Sequence, residues 1–343
     1  MISVNRLPHL TWRQTGANEV FIDDIKIEKK NFDTDIVSKT AKGFIENFNE
    51  EFGISKEILE LNEEYKNHEE YFEFSGNEDI KREFHLKENQ NILNDVQNIF
   101  VKEGADATII FDYKSSKDIE AFRNSVIRIK AQKNSKLQIV LIQRLNHKSK
   151  SFINMVSEME EDAHIQLVQI EIGALKSYLN YRAYINGERA ESDIKTAYFV
   201  DGKRYLDINY LITHRGRETK SDMLVNGVLK DRAEKRFTGT LDFNRESTLS
   251  EGSEEEFVTL LDPTVKNRAI PILLAREDNI VGIHAASAGR IDKDMLFYIT
   301  SRGFNHNEAK RIIIESKIKP ILDYIKDEKL VNEILEEIRE RIK

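Results

Sequence analysis

The sequence predicts a mainly β protein, with a right-handed parallel β-helix core between N-terminal and C-terminal α-helical parts. Two observations lead to this prediction. From residue 105 to 290, β-branched and aromatic residues recur with period two in short runs that turn residues separate, which is typical of strands. On either side, from 34 to 66 and after 290, apolar residues recur at the three-and-four spacing of one helix face.

The composition indicates a globular protein with a heavily charged surface. Of the 343 residues, 40% are hydrophobic and 33% are charged, and the formal net charge is −8. This acidic balance, without a cluster of Lys and Arg, argues against a nucleic-acid partner. No apolar stretch approaches the ~18 residues that a membrane helix needs. The first residues also lack the apolar region of a signal peptide, so we expect no membrane partner and a cytoplasmic location.

The β region consists of short strands in near-regular succession. Runs such as 107–113 and 164–172 are rich in Ile, Val and aromatic residues, and pairs such as Asn226-Gly227 are interpreted as turns between them. No ten-residue helical pattern separates the runs, which excludes an alternating βα sheet. A sandwich or a barrel remains open. Regular spacing over so long a stretch favours a parallel β-helix, in which each turn buries its faces on its neighbours.

The flanking parts carry signals for the start and end of helices. Ser55 is expected to begin a helix, and Asp292 and Asn305 are fitting N-caps. Asn305 forms a capping-box pattern with Glu308, and Gly303 suits the left-handed position that ends a helix. We therefore divide the chain into an N-terminal irregular and helical region (1–100), a β-helix core (101–290) and a C-terminal helical region (291–343).

The sequence lacks the common catalytic signatures. It contains no GxxxxGK[ST] or GxGxxG loop, no GxSxG elbow and no HExxH. The eight histidines are scattered, and acidic runs such as Glu254-Glu255-Glu256 are interpreted as solvated surface. With no cysteine, the chain has neither thiolate ligands nor a thiol nucleophile. One segment differs, because His284 lies among very small residues just before a helix. By spacing alone this segment is interpreted as a turn in which chain segments pack closely.

The residues from His284 onward resemble the C-terminal signature of the SufB/SufD family, the scaffold proteins of the Suf iron–sulfur cluster assembly machinery. The chain reads HAASAGRIDKDMLFY at 284–298 and SRGF at 301–304, followed by Glu308-Ala309. The family pattern has the same order of histidine, small residues, Phe-Tyr and Arg-Gly. Further matches are Phe237-Thr-Gly, Asn244-Arg245, Pro271, and Leu7-Pro8 with Thr11-Trp12.

The resemblance implies a parallel β-helix flanked by helical parts, as the residue pattern also predicts. It implies that two chains pair through their β-helices, as a SufB–SufD heterodimer or as a homodimer. It further implies that the C-terminal helices, from Phe304 to Tyr324, dock the ATPase SufC. The residues that we name as candidates for binding this partner are Phe304, Ala309, Ile312, Ile313 and Ile318.

The chain departs from the family where cluster chemistry would be expected. SufB-type proteins carry a cysteine shortly before the proline that matches Pro271, and a glutamate after the matching histidine, where this chain has Ala285. SufD-type proteins often have a cysteine at the position of Gly282. His284 alone remains as a candidate ligand of iron or of a cluster. We therefore expect no cofactor bound stably by this chain alone, and a transient iron–sulfur cluster only at an interface shared with a partner.

The resemblance favours a non-catalytic, SufD-like scaffold subunit of the Suf complex. Its expected partners are a SufC-type ATPase and either a SufB-like subunit or a second copy of this chain. Two alternatives stay open. One is a β-helix enzyme that acts on carbohydrate, and the other is a homodimeric scaffold that functions without a second kind of subunit.

Overall fold

The computed structural model describes residues 1–8, 16–32, 48 and 50–342. Trp12 and almost all of the helix expected from residue 34 lie outside these residues. The N-terminal part contains two short antiparallel strands, β1 (Ile2–Val4) and β2 (Val20–Ile22). The helix expected at Ser55 is confirmed as α1 (Lys56–Tyr65), and the Ser55 side chain accepts a hydrogen bond from the backbone N–H of Ile58.

The core consists of parallel strands in two eight-stranded sheets. Odd-numbered strands form one sheet and even-numbered strands form the other, and we call them the odd sheet and the even sheet. The strands are β3 (His68–Phe74), β4 (Asn77–Leu86), β5 (Ile92–Val101), β6 (Asp106–Ser115), β7 (Phe122–Ala131), β8 (Lys136–Arg144), β9 (Lys150–Met159), β10 (His164–Glu171), β11 (Lys176–Ile185), β12 (Glu191–Val200), β13 (Tyr205–His214), β14 (Lys220–Leu229), β15 (Glu234–Phe243), β16 (Ser250–Leu260), β17 (Lys266–Ala275) and β18 (Ile280–Arg290).

The chain visits the two sheets alternately, so that each pair of strands forms one turn of a solenoid of about eight turns. In the even sheet, His164 lies beside Lys136 on one side and beside Glu191 on the other. This stacking confirms the predicted parallel β-helix. Side chains alternate between the interior and the outer face, because successive residues of a strand point to opposite sides.

The parallel strands begin at His68, before residue 101, where the sequence pattern placed the start of the core. β4 is charged and largely exposed, and β5 buries polar residues such as Asn94 and Asp95. Polar and charged residues therefore interrupt the apolar alternation of both strands, although residues such as Phe84 and Ile99 still face the interior core.

The space between the two sheets holds the main hydrophobic core. Its residues come from every part of the solenoid and include Phe111, Ile139, Leu167, Ile194 and Met223, all without solvent exposure. The outer face of the odd sheet is covered by the N-terminal part, where Ile54 and Ile58 pack on odd-strand side chains. The solenoid is thus buried on the inside and partly covered on both outer faces.

The C-terminal helices are α2 (Lys293–Ser301), α3 (His306–Leu322) and α4 (Glu328–Arg341). The predicted caps are confirmed. Asp292 accepts hydrogen bonds from the first turn of α2, Gly303 has φ +101°, and Asn305 with Glu308 forms a capping box. Pro320 lies in the last turn of α3, where its ring removes one backbone hydrogen bond and only two helical residues follow it. None of the helices in the described part of the chain is both long and apolar enough to cross a membrane.

Helices α3 and α4 pack on the outer face of the even sheet. Ile318, Ile334 and Ile338 form one apolar cluster with strand residues such as Val168 and Ile170. These side chains are essentially inaccessible to solvent. The helices are therefore a layer of the fold and not a loose appendage.

One predicted turn is wrong. Asn226 and Gly227 lie inside β14, and Gly227 is beside Tyr198 of β12 in the even sheet. A Cβ at residue 227 would overlap the Tyr198 ring. Glycine is required here by the packing of a large side chain against the backbone, and not by a turn.

Candidate functional site at the last turn of the solenoid

The last turn of the solenoid is open. Within the described residues, no strand pairs with the outer edge of β17 or of β18, and most side chains of β18 are exposed. The opposite end differs, because Phe32 from the N-terminal part joins the interior core and packs near Phe84. The segment around His284 that the sequence suggested as a turn is in fact β18, which continues the even sheet in register with β16.

His284 faces the interior at this open end. In the strand register it lies directly beside Glu254 of β16. The imidazole Nδ1 is 3.5 Å from Oε2 of Glu254, and the two side chains are 30% and 3% exposed, respectively. A good hydrogen bond between such atoms is about 2.7–3.2 Å long, so the two groups are neighbours without being hydrogen-bonded.

Two carboxylates and one lysine lie inside the last turns. Glu254 and Glu256 are both buried, so the interpretation of this acidic run as solvated was wrong for two of its three members. Glu256 accepts hydrogen bonds from Lys235 and from the Tyr198 hydroxyl. Burial, and secondarily the charge of Glu256, raise the pKa of Glu254 to about 8. The last turns thus bury two carboxyl groups, and Lys235 pairs with only one of them, Glu256.

The sequence pattern does not predict this arrangement directly, because acidic runs are usually exposed. The signal that could have found it is the period of two: in a strand, residues 254 and 256 share the face of the apolar Val258, while residue 255 points the other way.

The described residues contain no cluster of three or more histidine, aspartate or glutamate side chains that could hold a metal ion. Cysteine is absent from the whole sequence. At His284, this chain therefore offers at most the imidazole and the neighbouring carboxylate. Any cluster that needs sulfur ligands would have to obtain them from another chain.

The five candidates for partner binding divide into two groups. Ala309, Ile313 and Ile318 are buried within the chain itself, so a partner can reach only Phe304 and Ile312, which are 46% and 40% exposed. The buried group belongs to the helical layer described above. An apolar stripe in the sequence cannot show whether the chain itself or a partner covers that side of the helix.

Helix α2 is the most exposed apolar element near the last turn. None of its residues is buried, and Phe297 is 74% exposed. Met295 of α2 and Ile313 of α3 line a groove of about 560 Å³, together with Phe257 of β16. We call the exposed apolar residues of this region the α2–α3 surface, and they are Met295, Phe297, Tyr298, Phe304 and Ile312.

Comparison with known families identifies the class of protein that this fold represents. Residues 84–317 match the family described as SUF system FeS cluster assembly, SufBD core domain. The match covers most of the solenoid together with α2 and much of α3. The chain belongs to this family, which confirms the resemblance found in the sequence.

The similar curated proteins include SufD proteins. The iron–sulfur cluster assembly protein SufD of Bacillus subtilis is 29% identical over 157 residues, which are 46% of this chain and 36% of that protein. The protein of the same name from Escherichia coli is 24% identical over 240 residues, 70% of this chain and 57% of that protein. A SufBD family protein of Mycobacterium leprae is 22% identical over 220 residues, 64% of this chain and 24% of that protein. The matched region thus spans 57% or less of the length of each of these three relatives.

Proposed function

We propose that this protein is a non-catalytic scaffold subunit in iron–sulfur cluster assembly, with a role like that of SufD. In this role it pairs with a SufB-like subunit, or with a second copy of itself, and docks a SufC-type ATPase. Membership of the SufBD family and similarity to proteins named SufD support the assembly role. The observation that carries the proposal is the open last turn, where apolar side chains lie beside His284 and two strand edges have no partner strand in the described part of the chain.

The pairing surface that we propose is the outer edge of the last turn. A free strand edge offers unsatisfied backbone groups that readily pair with another chain, and proteins normally protect such edges. Val281 and Ile283 of β18 are about half exposed, which adds an apolar contribution to pairing. Pairing here would bring a second chain next to His284, and that chain could supply the sulfur ligands that this one lacks.

The docking site that we propose for the ATPase is the α2–α3 surface. A helix whose apolar residues remain exposed is typical of a surface that a partner covers. Because α3 also packs on the even sheet through Ile318, movement of a docked ATPase would be transmitted to the solenoid. Iron or a nascent cluster would be the cargo of this assembly, and His284 would offer it a neutral imidazole, which is a competent iron ligand.

The first test is formation of a complex with the SufC-type ATPase of the same organism, measured by light scattering after co-purification. We expect a stoichiometric complex with the wild-type chain. The double variant Phe304→Asp/Ile312→Asp should weaken the complex at least tenfold, because charges would replace two exposed apolar contacts. Deletion of the chain after Gly303 is a poorer test, since it would uncover the apolar outer face of the even sheet.

The matched control is Phe21→Asp, because Phe21 is also an exposed aromatic residue, 60% accessible, but lies on β2 in the N-terminal part. It should bind like the wild type. A well-folded wild-type chain that forms no complex would contradict the docking proposal.

The second test concerns pairing through the last turn. The double variant Val281→Asp/Ile283→Asp should abolish association with a SufB-like subunit, or self-association, while leaving ATPase docking intact. Phe21→Asp serves again as the control. Unchanged association in the double variant would contradict the pairing surface.

The family assignment favours this scaffold role over the carbohydrate-active alternative. Comparison of self-association with SufB-like pairing decides between the two scaffold forms, the heterodimer and the homodimer.

A further inference from the structure

The two ends of the solenoid differ in the charge of their edge strands. Within the described residues, no strand pairs with the outer edge of β4 at the first turn or of β18 at the last turn. Half of the ten residues of β4 are charged, and they are Glu78, Asp79, Lys81, Arg82 and Glu83. In contrast, β18 contains no Asp, Glu or Lys, and its one arginine is its final residue, Arg290. The same kind of strand edge is thus charged at the first turn and nearly uncharged at the last.

One charged pair of the first turn points into the solenoid. Arg82 shares the strand face of the core residue Phe84, and Glu70 of β3 shares that of Phe72. The Nε–H of Arg82 donates to Oε2 of Glu70 over 2.8 Å, and Nε2 of His68 lies 2.8 Å from the other carboxylate oxygen. The Glu70 side chain is 3% exposed and that of Arg82 is 28% exposed. A further turn stacked here would remove Arg82 from water, which is costly for a charged group.

The other charged residues of β4 are solvent-exposed. Lys81 and Glu83 form an ion pair, and Lys81 also contacts Asp327, the N-cap residue of α4. If a second copy stacked its last turn on this end, its β18 would lie beside β4. The side chains of β18 next to them, such as Val281 and Ile283, offer no charge to pair with. Such a contact would therefore desolvate charges without compensating them.

Stacking of the last turn of one copy on the first turn of another would also not close. Each added copy again presents a free last turn, so contacts of this kind build open filaments, whereas contacts between two last turns close as a pair. Solenoid proteins need a polar outer face on their terminal repeats to stay soluble. Lysines and inward-pointing charges are among the devices that protect strand edges, and β4 carries both.

We propose that the charged first turn prevents a second copy of this chain from stacking on it, so that association is confined to the last turn. That pairing takes place at the last turn rests on the proposed function, whereas the protection of the first turn follows from its own charges. Association then ends with two solenoids and does not continue as a filament.

The experiment removes this protection. The five-residue variant Glu70→Leu/Asp79→Thr/Lys81→Thr/Arg82→Leu/Glu83→Thr replaces the inward-pointing pair together and gives the exposed positions threonine, which favours strands. The particle mass of the purified full-length chain is measured by light scattering at increasing protein concentration, and the particles are viewed by electron microscopy. The wild-type mass should not exceed that of two chains. The variant should reach about four chains or more, with a mass that rises with concentration and with visible filaments.

Two controls show whether the new contact joins the two ends. Addition of Val281→Asp/Ile283→Asp to the five-residue variant places charges on β18, the opposite edge, and should abolish the growth in mass. The variant Glu57→Gln/Glu60→Gln/Glu64→Gln removes three exposed charges from α1, away from any strand edge, and should have the wild-type mass.

A second variant protects the test against misfolding. The three-residue variant Asp79→Thr/Lys81→Thr/Glu83→Thr changes exposed side chains only and keeps the inward-pointing pair, so it should fold and also grow beyond two chains, although less. Circular dichroism identifies the variants that keep the β-rich fold. A wild-type mass in the folded five-residue variant overturns the proposal, as does a wild-type mass in the three-residue variant if the other does not fold. Growth that persists after Val281→Asp/Ile283→Asp overturns it as well.

The result is independent of the pairing test on the wild-type chain. A wild-type chain that does not pair contradicts the proposed pairing surface, and growth of the five-residue variant would still show that the first turn had been protected. A wild-type chain that pairs, with a five-residue variant that folds and does not grow, contradicts the protection of the first turn alone.

Discussion

Glu171 provides a test of how burial in the solenoid interior changes the pKa of a carboxyl group and, with it, the stability of the protein. It lies at the end of β10, 2% exposed, and accepts hydrogen bonds from Gln143, Gln169 and Ser177. Burial raises the pKa of this carboxyl to about 7, although those hydrogen bonds and the charge of Arg123 act in the opposite direction. We predict that Glu171→Gln stabilises the protein at pH 8 and not at pH 5.

The magnitude follows from proton linkage. The pKa rises from 4.5 to about 7 on folding, and each pKa unit corresponds to about 1.4 kcal/mol, so the ionised carboxyl costs about 3 kcal/mol in the folded state. Below pH 4.5 both states are protonated and there is no cost. As the pH rises to about 7, the unfolded chain has lost the proton that the folded chain retains, and stability falls. Above that pH the full cost is present.

The substitution is compatible with the surrounding hydrogen bonds. A glutamine at 171 can accept from Gln143 and Ser177 with its carbonyl oxygen, and its amide group then faces Gln169. The Oε1 atom of Gln169 is buried and has no hydrogen-bond partner in the described structure. A flip of the Gln169 amide would let this oxygen accept the new N–H, so no additional polar atom is left unsatisfied.

The assay is urea denaturation of both proteins at pH 5, 6.5 and 8. The stability difference, variant minus wild type, should be small at pH 5 and reach about 3 kcal/mol at pH 8. Glu255→Gln, at an outward-facing position, should show no such trend. A constant difference at all three pH values would refute the reasoning, because it would mean that Glu171 has the same protonation state throughout.

Two further predictions concern packing and a buried ion pair. Gly227→Ala should lower the free energy of unfolding, measured by urea denaturation, by about 1–3 kcal/mol or more, because the new methyl group overlaps the Tyr198 ring. In the control Gly76→Ala the new Cβ meets open space, and the loss should be less than about 1 kcal/mol. Equal losses in the two variants would show that the overlap is relieved without strain. Lys235→Met should cost about 3–5 kcal/mol, since it leaves Glu256 buried without its cation. The double variant Lys235→Met/Glu256→Gln should recover much of that loss, and failure to recover any would show that the pair is not the cause.

Much of the fold was predictable from local pattern. The period of two predicts strands, and regular strand spacing without intervening helices favours a solenoid, because the alternation of side chains is a local property of the backbone. Helix ends are local as well, and Asp292, Asn305 and Gly303 function as their residue types suggest. The pattern failed for β4 and β5, whose polar residues gave no apolar alternation. The family resemblance, and His284 as the residue of interest, also came from the linear order of residues.

The positions of these elements relative to one another were decided only by the tertiary structure. Stacking of β16 on β18 brings Glu254 beside His284, although thirty positions separate them in the chain. The same stacking buries Glu254 and Glu256, which the sequence pattern suggested as surface residues. Packing of α3 on the even sheet covers Ile318 and leaves Phe304 accessible. The physical reason is that local pattern fixes which face of a strand or helix is apolar, whereas burial and proximity depend on which other element covers that face.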